Sequence, residues 1–163
     1  MSSRATELVR LLTVRGETLA VAESLTGGLV AAEITGVPGA SRVFRGSITA
    51  YATELKHELL GVDATLLAQR GAVDPQVAAQ MAAGARKALR ADWGIATTGV
   101  AGPDPQDGVA PGTVHIGLSG PGVSTVRTIT VSGDRKAVRF TSVEKALVLL
   151  SEYLLMTEDG NKR

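Results

Sequence analysis

Residues 20–28 read AVAESLTGG and lead into the helix-forming run LVAA at residues 29–32. The stretch contains, in order, an apolar run, two hydroxyl residues, a glycine pair and helix formers. This order predicts a strand, a tight turn and a helix start. Ser24 and Thr26 are therefore expected where the helix begins. Backbone N–H groups at a helix start attract an anion or a polarised carbonyl. Both hydroxyls are also favoured N-caps, so this stretch alone is consistent with either ligand binding or capping.

The remainder of the chain alternates between helical and strand patterns. Helices are predicted at residues 6–15, 27–35, 54–60 and 64–69, from Pro75 onward, and at residues 135–156; strands are predicted at residues 18–22, 43–51, 94–98, 113–118 and 123–131. This order favours an α/β fold, with one layered domain over residues 1–163 and a mixed sheet covered by helices on both faces. We expect a core over about residues 6–155 and a frayed polar tail at residues 157–163.

Two glycine-rich turns follow predicted strands. The first contains Ser24, and the second follows Thr98 with the irregular loop GVAGPDPQDG at residues 99–108. Ligands of such sheets bind beyond the carboxyl ends of strands, so both turns are predicted to border one crevice. A third glycine, Gly46, lies in the middle of a predicted strand, which indicates a bulge or a close approach of the backbone.

Composition excludes several classes of function. The chain has 17 Lys+Arg against 16 Asp+Glu, a net charge of +1, and only 3% aromatic residues, so nucleic acid is not an expected partner. It has no cysteine, and its two histidines, His57 and His115, are far apart, so neither a metal site nor a cofactor is predicted. No apolar leader or membrane-spanning stretch is visible, which favours the cytoplasm.

Eight short motifs in order give the chain its resemblance to a known family. They are AESLTGG at 22–28, VPGAS at 37–41, AY at 50–51 followed by ELK at 54–56, LLGV at 59–62, GAV at 71–73, TGVAGP at 98–103, GTV at 112–114 and GDR at 133–135. The set resembles the CinA C-terminal domain family, also known as nicotinamide-nucleotide amidohydrolases, over about residues 6–155. In that family the domain stands alone or follows a larger domain, and the chain resembles the stand-alone form.

The resemblance implies a reaction and a catalytic trio. The reaction is deamidation of nicotinamide mononucleotide to nicotinate mononucleotide and ammonia, a step of pyridine-nucleotide salvage. The implied nucleophile is Ser24, with Tyr51 and Lys56 beside it. A serine–lysine pair works when burial lowers the lysine pKa enough for a neutral amine to act as base. Tyr51 is expected to relay the proton or to hold the lysine.

The substrate also needs binding groups. Backbone N–H groups of Thr26, Gly27 and Gly28 are expected to stabilise the oxyanion, at about 3 kcal/mol per donor. A phosphate is expected to bind at the second strand exit and the last helix start. The further substrate-binding candidates are Gly46, Thr98, Gly99, Gly102, Thr113 and Arg135.

Other functions remain open at this stage. One is a non-catalytic nucleotide-binding or regulatory module, linked by family names to competence and DNA damage. Another is a serine amidohydrolase for a different small amide, and Ser24 is also able to position a water instead of attacking. A small-molecule partner and a homo-oligomer are expected, with no membrane partner.

Overall fold

A computed structural model describes residues 3–161, which form six α-helices, a short 3-10 helix and one five-stranded sheet. The helices are α1 (Ser3–Arg15), α2 (Leu29–Thr35), α3 (Thr53–Leu60), α4 (Ala64–Arg70), α5 (Pro75–Ala88) and α6 (Arg135–Asn161), and the 3-10 turn is Ala40–Arg42. The strands are β1 (Leu19–Glu23), β2 (Phe44–Thr49), β3 (Trp93–Gly99), β4 (Thr113–Gly120) and β5 (Val123–Thr130). In this described part of the chain, no helix combines the length and apolar character needed to cross a membrane.

The sheet is mixed, as predicted. Its strand order is β2-β1-β3-β4-β5, with β1 parallel to β2 and β3, and with β4 and β5 antiparallel to their neighbours. Val21 and Ile95 point into a core with α1, α2 and α6. Ala20, Ala22 and Ala96 point into a second core with α3, α4 and α5. Because side chains alternate along a strand, the two cores lie on opposite faces, so helices cover both, as predicted.

Small residues on the second face let α5 lie very close to the sheet. A Cβ atom added to Gly117 would lie 2.1 Å from the carbonyl oxygen of Ala78, and one added to Gly94 would lie 2.2 Å from that of Ala82. No side chain fits in this space, so α5 rests directly on β3 and β4. Asp74 caps α5 by accepting hydrogen bonds from the second and third residues after it, as the Asp-Pro start predicts.

The start of α2 differs from the prediction. The helix begins at Leu29 after Gly28, which has a left-handed backbone (φ 106°), so neither Ser24 nor Thr26 caps it. Instead, the buried carboxylate of Glu23 accepts hydrogen bonds from the N–H groups of residues 30 and 31, at 2.9 and 3.1 Å. The hydroxyl groups of the turn are thereby left available for other contacts.

Two further predictions are settled by the backbone. The bulge at Gly46 is confirmed, because the register of β1 and β2 shifts there: Leu19 pairs with Phe44 and Ala20 with Gly46. The end of α6 lies beyond its predicted position near residue 156, because the helix continues to Asn161; the fraying predicted for residues 157–163 stays a prediction. Residues 162 and 163 lie outside the described residues.

Candidate active site

The two glycine-rich turns border one cavity, as their positions after β1 and β3 predict. The cavity has a volume of about 380 Å³ and lies at the carboxyl ends of these parallel strands. Its lining residues are Ser24, Leu25, Tyr51, residues 99–106 and Arg135. Of the predicted site residues, the structure brings Ser24, Tyr51, Gly99, Gly102 and Arg135 to this cavity.

Lys56 lies directly behind Ser24. Helix α3 follows β2 and turns this side chain inward, where only 1% of the residue is exposed. Its Nζ atom donates hydrogen bonds to Ser24 Oγ at 3.1 Å, to the carbonyl oxygen of Ala50 at 2.7 Å and to that of Tyr51 at 3.3 Å. All three protons of the ammonium group therefore have an acceptor.

The environment of Lys56 favours its neutral form more than water does. Burial lowers the pKa of the Lys56 amine to about 8, and the negative charge of Glu54 partly offsets this effect. A neutral amine has two N–H bonds and one lone pair. When the carbonyls of Ala50 and Tyr51 accept those two bonds, the lone pair faces Ser24 Oγ, which is the geometry a general base needs.

Tyr51 and Arg135 form the outer part of the site. The tyrosine is 62% exposed, and its hydroxyl accepts a hydrogen bond from Arg135 Nη2 at 3.2 Å. Arg135 Nη1 also donates to the carbonyl oxygen of Gly102 at 2.7 Å. Two roles were expected for Tyr51, and its backbone carbonyl contacts Lys56. The ring hydroxyl bonds the arginine, so the predicted proton relay has no direct contact with Lys56.

Three hydrogen bonds stabilise the turn that carries Ser24. Its own hydrogen bond runs from the N–H of Gly27 to the carbonyl oxygen of Ser24, at 3.0 Å. The buried hydroxyl of Thr26 bonds that of Thr97 at 2.8 Å. From α6, Arg139 Nε donates to the carbonyl oxygen of Leu25 at 2.9 Å. Ser24 is thus presented on a well-supported turn.

Comparison with known proteins supports the resemblance found in the sequence. A family model for the CinA C-terminal domain matches residues 1–154. The chain belongs to this family. A CinA-like protein of Frankia casuarinae is 54% identical over 144 residues, 88% of this chain and 33% of its own length. A putative competence-damage inducible protein of Halothermothrix orenii is 42% identical over 91% of this chain and 36% of its own length.

Solved structures of the CinA superfamily share the fold. One from Klebsiella pneumoniae 700603 aligns with a TM-score of 0.90 and 31% identity, covering 94% of this chain and 96% of that chain. A competence/damage inducible protein from Agrobacterium tumefaciens aligns with a TM-score of 0.86 and 31% identity, covering 93% and 96%. The chain spans about a third of the length of the curated CinA relatives it matches, but nearly all of these solved structures.

Several predicted binding residues of this CinA-family chain lie away from the cavity. Gly46 pairs with Ala20 near the opposite end of β1, because the bulge is at the start of β2. The Thr98 hydroxyl is buried and donates to the carbonyl oxygen of Ala72 at 2.7 Å. Thr113 begins β4 outside the cavity lining. None of these three residues lines the cavity.

Sequence reasoning missed Glu23 and Arg139. Glu23 anchors α2 immediately before the nucleophile turn, as described above, and its only sequence signal is a carboxylate beside an apolar strand. Arg139 lies four residues after Arg135, so both side chains lie on one face of the predicted helix. That spacing was the available signal for a second arginine at the site.

Proposed function

We propose that this CinA-family chain hydrolyses the carboxamide of nicotinamide mononucleotide, with Ser24 as nucleophile and Lys56 as general base. The observation that carries the proposal is the 3.1 Å contact between Lys56 Nζ and Ser24 Oγ, made by an amine whose pKa is lowered to about 8. At pH 7 about a tenth of such a lysine is neutral. The substrate itself comes from the family resemblance and not from the geometry.

The first half of the reaction forms an acyl-enzyme. Ser24 Oγ attacks the carboxamide carbon while its proton moves to the lone pair of Lys56. The tetrahedral intermediate then collapses, and Lys56 returns the proton to the leaving nitrogen, which departs as ammonia. An ester between Ser24 and the nicotinoyl group remains. In the second half, Lys56 takes a proton from water, whose oxygen attacks the ester carbon. The intermediate collapses with cleavage of the bond to Ser24 Oγ, Lys56 returns the proton to that oxygen, and nicotinate mononucleotide is released.

The oxyanion of this intermediate needs hydrogen-bond donors. Gly27 is not available, because its N–H donates to the carbonyl oxygen of Ser24. The N–H of Leu25 has no acceptor among residues 3–161, directly follows the nucleophile and belongs to a residue that lines the cavity. We assign an oxyanion role to this group, because the residue after the nucleophile usually supplies such a donor in serine hydrolases.

Arg135 supplies the positive charge that a nucleotide phosphate requires. Arg135 lines the cavity, and its guanidinium donates hydrogen bonds to the carbonyl oxygen of Gly102 and to the hydroxyl of Tyr51. A planar guanidinium is suited to phosphate oxygens. The carboxamide is then placed at Ser24 and the phosphate at Arg135.

A panel of amides tests the proposal. Ammonia release is measured with nicotinamide mononucleotide, nicotinamide riboside and free nicotinamide at equal concentration. We expect the mononucleotide to give the highest kcat/KM, since it alone has the phosphate. Equal rates with all three would indicate a less selective amidohydrolase, and binding of the nucleotide without ammonia release would favour a regulatory module.

A further inference from the structure

The hydrogen bonds of Lys56 involve neutral partners only. In the described part of the chain, its amine bonds the hydroxyl of Ser24 and the backbone carbonyls of Ala50 and Tyr51. The residue is 1% exposed, so water screens this amine poorly. A charge that a ligand brings to Ser24 will therefore act on Lys56 with little attenuation.

The protein itself places few charges around this amine. On the same helix, Glu54 raises the pKa of Lys56 in part. At the end of β1, the carboxylate of Glu23 is hydrogen-bonded to the backbone of α2. The side chains that α4 and α5 contribute to the core beside α3 are apolar. On the open side, Asp104 and Arg135 line the cavity and carry opposite charges. A ligand charge therefore adds to a small set.

The proposed substrate carries a positive charge on its ring, because the ring nitrogen is bonded to ribose as well as to two ring carbons. For attack, the carboxamide carbon must come within about 3–3.5 Å of Ser24 Oγ, and the ring nitrogen lies about 4 Å from that carbon. Lys56 Nζ lies 3.1 Å from the same oxygen. The ring charge is thus no more than about 11 Å from the amine.

We propose that the positive ring of the substrate converts Lys56 to the neutral amine that activates Ser24, so that the site selects pyridinium carboxamides over neutral pyridine carboxamides. The inference rests on the proposed function, since it requires the carboxamide at Ser24. With an effective dielectric constant of about 20, repulsion over this distance lowers the pKa of Lys56 by about one. At pH 7 the neutral fraction then rises from about a tenth to about a half.

The same repulsion helps the second proton transfer. Once Ser24 Oγ has given up its proton, the Lys56 ammonium lies near the cationic ring and is a stronger acid than in the free protein. It returns the proton more readily to the leaving nitrogen, whose bond to the carboxamide carbon breaks as ammonia departs. A group whose pKa lies near the working pH serves both transfers.

A matched pair of substrates isolates the ring charge. Benzamide mononucleotide has a carbon in place of the ring nitrogen, so it keeps the carboxamide, ribose and phosphate but has a neutral ring. Ammonia release gives kcat and kcat/KM for both compounds from about pH 5.5 to 9.5, and kcat reports the pKa in the bound complex. We expect the kcat midpoint of nicotinamide mononucleotide to lie about one pH unit below that of benzamide mononucleotide. The phosphate is common to both, so its effect cancels.

Glu54→Gln is the control for these profiles. Removing this charge should lower the kcat midpoints of both compounds by the same amount and keep the difference between them, because Glu54 acts on Lys56 independently of the ring. Thermal unfolding shows that the variant is folded.

The pKa of Lys56 in each complex is also measured without turnover. In Ser24→Ala, Lys56 is followed by carbon-13 NMR at Cε, and its signal is identified by its loss in Ser24→Ala/Lys56→Met. We expect a pKa about one lower with nicotinamide mononucleotide bound than with benzamide mononucleotide bound. By linkage, raising the pH should increase the affinity for the cationic ligand about tenfold more than that for the neutral one, which calorimetry measures.

The outcomes separate this inference from the proposed function. Equal kcat midpoints for the two compounds, or equal pKa values of Lys56 in the two complexes, would overturn the role of the ring charge and leave Ser24 and Lys56 as nucleophile and base. If nicotinamide mononucleotide binds but yields no ammonia, the proposed function is wrong, and the NMR comparison still decides whether the ring acts on Lys56. If neither compound binds, both proposals fail.

Discussion

Lys56 Nζ lies 3.1 Å from Ser24 Oγ, although the two residues are 32 positions apart in the chain. The contact is formed because β1 ends at the serine turn while the adjacent parallel strand β2 leads into α3, which carries the lysine. A buried amine in this position has no acidic partner in the contact and bonds only neutral oxygens. Its protonation state should therefore control the reaction.

The rate should rise with pH through about 8. Burial disfavours the ammonium form of Lys56, so its pKa lies below the usual 10.5, and the active form is the neutral amine on the high-pH side. Below pH 8, kcat/KM should fall about tenfold per pH unit, because the neutral fraction does so. Measuring kcat/KM from pH 6.5 to 9 checks this.

Glu54→Gln is the matched variant for that measurement. The Glu54 charge raises the pKa of Lys56, so removing it should move the midpoint of the profile to lower pH. A profile that is flat between pH 6.5 and 9, or that falls with increasing pH, would show that a neutral Lys56 is not the base.

Replacing Arg135 should weaken binding of the phosphate and spare the chemistry. For Arg135→Ala we expect KM for nicotinamide mononucleotide to rise about tenfold or more, since hydrogen bonds to charged groups contribute about 1.5–3 kcal/mol. The value of kcat should change little. Nicotinamide riboside, which lacks the phosphate, should show no such rise in KM.

Lys136→Ala is the control for Arg135, because it removes one positive charge from the next position of α6 and lies outside the cavity lining. If Arg135→Ala raised KM equally for the riboside and the mononucleotide, Arg135 would not be the phosphate ligand.

The Tyr51 hydroxyl should be dispensable for catalysis. Tyr51→Phe keeps the backbone carbonyl that holds Lys56 and loses only the exposed bond to Arg135, which contributes about 1 kcal/mol. We expect kcat to stay within about tenfold of the parent. A loss of a hundredfold or more in kcat would instead favour the proton relay, the other role expected for Tyr51 from the sequence.

The close approach of α5 to the sheet should make Gly117 sensitive to any side chain. In Gly117→Ala the new methyl group would lie 2.1 Å from the carbonyl oxygen of Ala78, so the helix must move. We expect the free energy of unfolding to fall by about 3 kcal/mol in urea denaturation. Gly36→Ala is the control, because a Cβ atom added to Gly36 would lie 3.5 Å from its nearest neighbours and the φ of this residue is −68°. It should change the free energy of unfolding by about 0.5 kcal/mol or less. Equal effects would show that the helix does not lie so close.

Local signals predicted most of the fold. Asp63 and Asp74 mark helix starts that the structure reproduces, because a carboxylate that accepts backbone N–H bonds acts within three residues. The strand order was not predictable, since pairing between β1 and β3 joins segments more than 70 residues apart, and no local pattern encodes it. The cap of α2 was misassigned because Glu23 reaches past the whole turn to residues 30 and 31.

The site was predictable in part. The positions of Ser24 and Gly99 followed from strand ends and glycines, which are local features. Lys56 came from the resemblance alone, because a lysine between Glu54 and Glu58 on a helix is typical of an exposed surface. Its burial depends on the packing of α3 against α5, which joins distant parts of the chain. Gly46 proved to mark a bulge outside the cavity lining, and the sequence alone did not separate these cases because a bulge and a close backbone approach give the same signal in a strand.

Ammonia release from nicotinamide mononucleotide by the parent, Ser24→Ala and Lys56→Ala tests the central claim most directly. With all three proteins shown to be folded, we predict turnover by the parent and a loss of about a thousandfold or more in each variant, because nucleophile and base act as one unit. Turnover by folded Ser24→Ala at a rate near that of the parent would contradict the assignment of Ser24 as the nucleophile.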